Sequence, residues 1–157
     1  MPLGKEDLMV ISSTRALPLP AAITQGGRNG WVTALVAGAI FGGVTLIIPT
    51  LLSRDTAFGL LAILLGMIAS VYLGYALGDG RLRAFQVEYV GMVAFAALAT
   101  IALARGSAVL LALGYFSHGL WDLLHHRRGV DTRMPWWYVP LCLSYDTVVA
   151  IYVLVRF

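Results

Sequence analysis

Five apolar stretches, over residues 31–52, 57–78, 84–104, 107–126 and 137–156, dominate the chain, and the connectors between them are very short. Each is close to the ~20 residues that an α-helix needs to cross the hydrocarbon core of a bilayer. No period-2 alternation of apolar and polar residues runs through them, which excludes barrel strands. Short connectors turn successive helices back on one another. The expected fold is therefore an all-α integral membrane protein. Five transmembrane helices form an antiparallel bundle over residues 31–157, preceded by a cytoplasmic or interfacial arm over residues 1–30. The composition agrees, because only 12% of the residues are charged, against ~25% in a soluble domain.

The arm contains Pro18, Pro20, Gly26, Gly27 and Gly30, so no long helix is expected within it. Its apolar run over residues 8–11 is too short for the h-region of a cleavable signal. The first transmembrane helix is therefore expected to be kept as an anchor. Lysine and arginine set the orientation. One side of the membrane receives Lys5, Arg15, Arg28, Arg81, Arg83, Arg127, Arg128 and Arg133; the other receives Arg54, Arg105 and Arg156. The positive-inside rule then puts the N-terminus in the cytoplasm. Trp136, Trp137 and Tyr138 fit an aromatic belt at the same interface. The expected location is a bacterial-type cytoplasmic membrane, with lipids as partners and homo-oligomer formation as a further expectation. Basic residues sit singly between apolar runs rather than in a patch, so no nucleic-acid partner is expected. The lone Cys142 excludes an intramolecular disulfide.

Two G-x-x-x-G pairs, Gly38/Gly42 and Gly74/Gly78, predict close helix packing. Pro49 predicts a bend at the outer end of the first helix.

Residues 114–126 break the apolar pattern. They hold all three histidines of the chain, together with Asp122. In lipid such groups are costly and mark function by default. At ~1.5 Å of rise per residue, Asp146 lies near the middle of the fifth helix and His118 ~3 Å to the cytoplasmic side of the middle of the fourth. Asp122 and Glu88 lie ~9 Å and His125 ~13 Å to that side, with Asp79 at the interface. His118, Asp122 and His125 share one face of their helix. Tyr72, Tyr75 and Asp79 form a stripe on the second helix; Tyr138, Cys142, Tyr145 and Asp146 run along one side of the fifth. These positions predict a cytoplasm-facing polar cavity lined by helices two to five, with the first helix as a packing partner. His126, next to Arg127 and Arg128, is expected to face headgroups instead.

Carboxylates in a low-dielectric site must be paired, protonated or metal-bound. Imidazoles and carboxylates on bundle helices are a recurrent way to hold metal ions. The candidate ligands are His118, Asp122, His125, Asp146 and Asp79, for zinc or iron. Glu88, Asp146 and Tyr145 are the candidate catalytic groups. The spacing His-x3-Asp-x2-His-His is neither the His-Glu-x-x-His of zinc proteases nor the Glu-x-x-His of di-iron bundles. Neither a serine or cysteine nucleophile arrangement nor a nucleotide motif is present. The expected function is a metal-dependent enzyme, a hydrolase or an oxidase/hydroxylase, acting on a lipid-soluble small molecule. Two readings compete with it. One is a proton- or cation-coupled transporter, using the ladder Asp79/His125, Glu88/Asp122 and His118/Asp146. The other is a non-catalytic membrane subunit.

Overall fold

The computed structural model describes residues 27–126 and 132–157, with His126 described by its backbone alone. The expected arm as far as residue 26, the interfacial Arg127 and Arg128, and the His126 side chain lie outside the described residues. Among the described residues all regular structure is helical: α1 (Arg28–Thr45), the short α2 (Ile47–Leu51), α3 (Arg54–Asp79), α4 (Leu82–Arg105), α5 (Ala108–His126) and α6 (Tyr138–Arg156). The first helix thus begins at Arg28, inside the stretch assigned to the arm.

Four segments are long and apolar enough to cross a membrane: Arg28–Leu51, Arg54–Asp79, Leu82–Arg105 and Tyr138–Arg156. Their outer faces expose large apolar side chains, among them Ile40, Leu51, Ile63, Val90 and Val155, which is the kind of surface a bilayer covers. The fifth long helix, α5, has 19 residues and differs in burying His118, Asp122 and His125.

Local chemistry sets the turns. The Ser53 side chain caps α3 by accepting from the Thr56 N–H. The helices α3 and α4 end at Gly80 (φ +70°) and Gly106 (φ +57°), a left-handed conformation that glycine adopts without a Cβ penalty. Beyond Gly106 the Ser107 N–H returns to the Ala102 carbonyl at 3.0 Å. The Ser107 hydroxyl accepts from the Leu110 N–H at 3.3 Å. One helix stops and the next starts within two residues, which makes α4 and α5 antiparallel neighbours. Pro49 has no N–H to offer the Thr45 carbonyl one turn back. The helix is interrupted at Leu46, which keeps right-handed dihedrals (φ −76°, ψ −9°), and resumes as α2.

In space, α1 lies along α6, α6 along α5, α5 along α4 and α4 along α3. The α1–α6 pair runs parallel, with Gly38 beside Leu141 and Ser144 and Gly42 beside Val148. A Cβ at Gly38 would fall 2.0 Å from the Leu141 carbonyl oxygen, so the contact needs glycine there. At Gly74 and Gly78 an added Cβ meets nothing within 4 Å among the described residues. Helix α5 is drawn in on both sides of His118: Gly114 faces Leu65 of α3, and Gly119 faces Leu143 and Asp146 of α6.

The antiparallel helices α3 and α6 meet at their two ends. At one end the Phe58 and Phe157 rings pack edge-on at 5.2 Å, and Arg54 donates to the Phe157 carbonyl. At the other, Tyr138 packs against Tyr72 and Tyr75 at 5.8 and 5.4 Å. A cleft remains between these two closures.

Candidate metal centre

His118 and Asp146 sit near the midpoints of α5 and α6. The close approach at Gly119 brings them together, and Nδ1 of His118 shares a hydrogen bond with Oδ2 of Asp146 at 2.7 Å. Asp122, one turn further along α5, puts Oδ1 3.9 Å from the same nitrogen and accepts from the Tyr72 hydroxyl. None of the three is more than 1% exposed. One potential ligand atom from each lies within 4.8 Å of those of the other two. Nε2 of His118, Oδ2 of Asp122 and Oδ1 of Asp146 have no hydrogen-bond partner among the described residues. A buried polar atom left unpaired costs ~1–3 kcal/mol, and here three belong to a single cluster. With both carboxylates ionised and the imidazole neutral, the cluster carries a net charge of about −2; with an imidazolium, about −1. Its donor set, one imidazole nitrogen and two carboxylate oxygens, could hold a metal ion.

A second polar group lies further along α5. His125 donates from Nδ1 to the Trp121 carbonyl at 2.9 Å, and its Nε2 lies 2.7 Å from Oε1 of Glu88 on α4. The same carboxylate oxygen accepts from the Thr132 hydroxyl, and Oε2 accepts from the Trp121 indole N–H at 3.4 Å. Both nitrogens of His125 face oxygens, so one proton sits in the His125–Glu88 bond. Whichever partner holds it, the pair is neutral.

The five candidate ligands therefore separate. His118, Asp122 and Asp146 meet. His125 joins Glu88 instead, because Glu88 stands across from it on α4. Asp79 is not brought to either group: it closes α3, where Arg81, two residues on, donates to it from Nε at 2.9 Å, with Arg133 3.8 Å away. Local capture by a guanidinium outcompetes a reach into the bundle. Tyr145 is buried and stacks at a tilt on Phe41, 5.4 Å between ring centres.

The rings around this second group pack closely: Tyr72 lies 4.4 Å from His125 and 5.8 Å from Tyr138, and Trp121 lies 5.7 Å from His125. A cleft of about 360 Å³ in the side of the bundle, lined from α1, α3, α5 and α6, reaches His118 and Asp146. A separate, open cleft of about 520 Å³ includes Tyr75, Gly78, Asp79 and Arg133.

Three partners escape the sequence reading. Thr132 lies in a connector with no periodicity to reveal it. Trp121 borders the histidine face and Tyr72 lies on an aromatic stripe, but neither spacing discloses the carboxylate each one meets.

Comparison with curated proteins and with solved structures finds no match. A family model does match, over residues 33–156, that of the Family of unknown function (DUF6010). That span runs from within α1 to the end of α6 and takes in both polar groups, and on this match the chain belongs to the DUF6010 family.

Proposed function

We propose that the protein is a five-span membrane protein that holds a metal ion at His118, Asp122 and Asp146 and uses it as an enzyme on a lipid-soluble substrate. The helix α5, fourth in chain order, completes the set of five spans, and the positive-inside count puts the N-terminus in the cytoplasm. The observation that carries the reading is one buried imidazole and two buried carboxylates whose potential ligand atoms lie within 4.8 Å of one another, each residue keeping one atom without a partner among the described residues. A cation held by these residues would offset the charge of ionised carboxylates. A metal held by His118, Asp122 and Asp146 would supply activation of water for hydrolysis if zinc, or redox chemistry for oxidation if iron. Tyr72 orients Asp122, as a hydrogen-bonding partner of a ligating carboxylate does. Elemental analysis of detergent-purified protein, prepared without chelators, tests the reading. Stoichiometric metal is expected in the wild type and in Glu88→Gln, and its loss in His118→Ala and Asp122→Ala. A metal-free wild type overturns it.

A second reading rests on continuity. Asp146, His118, Asp122 and Tyr72 form an unbroken chain of polar neighbours, and the Tyr72 ring touches His125. Such a chain suits a proton or cation relay. It takes precedence if the purified wild type holds no metal yet moves protons across a vesicle membrane in a His118-dependent manner.

A further inference from the structure

The side cleft reaches the His118/Asp146 pair, and its chemistry is selective. Its walls are mostly apolar, and Phe41, Met67 and Val71 are exposed on the lipid-facing surface. Inside, the polar groups of the cluster are His118 and Asp146, both almost fully buried and each with one unpartnered atom. Neither lysine nor arginine lines the cleft among the described residues. Its volume of about 360 Å³ falls within the range of small-molecule sites.

Depth adds a second constraint. Both residues lie near helix midpoints, and half the length of α6 is ~14 Å. A ligand must therefore present its reacting group near the centre of a ~30 Å hydrocarbon layer. A phosphate or carboxylate drawn to that depth would lose its hydration. It would also meet Asp146 in a wall that holds neither lysine nor arginine among the described residues.

From this geometry we infer that the cleft admits, sideways from the bilayer, a neutral lipid without a charged headgroup, and presents its hydroxyl or carbonyl group to His118 and Asp146. The inference rests on the proposed function for the reaction but not for the binding. An oxygen substituent can accept from or donate to the two unpartnered atoms, while the chain fills the apolar walls between α3 and α6. Where a metal is held, the same oxygen lies beside it.

Photolabelling in lipid nanodiscs tests the inference. Three probes carry the same diazirine-bearing chain: a fatty alcohol, the corresponding fatty acid and a phosphatidylcholine. Labelled positions are mapped by peptide mass spectrometry, and metal content is measured on the same samples. The alcohol is expected to label cleft residues such as Leu141 and Tyr145 several-fold more than the other two probes. Met67→Trp and Val71→Trp, which fill the mouth from exposed positions, should reduce that labelling several-fold without loss of metal. Cleft labelling by the acid or the phospholipid equal to that by the alcohol overturns the inference, as does alcohol labelling confined to outer residues such as Val155. Cleft labelling in metal-free protein leaves the inference standing and removes the metal reading. Metal without cleft labelling does the reverse.

Discussion

Two polar groups share α5 about two turns apart, and they are built from the same parts. Each pairs an imidazole of α5 with a carboxylate from a neighbouring helix at 2.7 Å, and each is buried. They differ in completion. Around Glu88 and His125 each carboxylate oxygen and each ring nitrogen has a partner, and the pair is neutral. Around His118 three atoms lack one, and two carboxylates face one imidazole. Burial of polar residues in a helical bundle therefore does not by itself mark a site. The complete group fastens the connector at Thr132 to α4 and α5, whereas the incomplete one keeps binding capacity in reserve.

The distinction can be broken most directly at Glu88. Glu88→Ala strips the acceptor from His125, Trp121 and Thr132 at once and should lower stability by about 3–5 kcal/mol. The measurement is the apparent thermal midpoint in detergent, with metal content of the folded fraction unchanged. A variant as stable as wild type would erase the contrast. The converse change is Asp122→Asn, which removes a charge while keeping an acceptor for Tyr72. In protein stripped of metal by chelation, the same measurement should show unchanged stability, or a gain of about 1–4 kcal/mol. A clear loss would make the cluster a structural ion pair. The smallest effect is expected for Thr132→Val, which deletes one bond to Glu88 and should cost about 1 kcal/mol. Loss of metal in this variant would show that the two groups act as one.

The helices are legible in the sequence because lipid leaves the backbone few alternatives. The His118/Asp122 pair is legible because residues four apart share a helix face. Depth along the helix axes also puts His118 and Asp146 at one level. What depth does not give is position around the bundle. Glu88 and Asp122 are level, yet Glu88 bonds to His125 and Trp121. Asp79 is level with His125, yet Arg81 takes it. The two glycine pairs carry the same lesson. The motif states that a helix can be approached closely, and only tertiary structure decides that Gly38/Gly42 meets a neighbour while Gly74/Gly78 faces outward. The side cleft arises from what fails to touch, and no local pattern encodes a gap.

The parallel pairing of α1 with α6 has a consequence for biogenesis. The hydroxyls of Thr50 and Tyr152, 102 residues apart, meet at 3.1 Å. A chain inserted in order of synthesis makes α1 first and its principal neighbour last. Hairpin contacts among α3, α4 and α5 can form in the interval, since non-local pairings wait on the closure of long loops. Because Phe41 and Thr45 of α1 belong to the cleft wall, the binding crevice is among the last features to be finished. Until then the nascent bundle offers His118 a side open to the surrounding lipid.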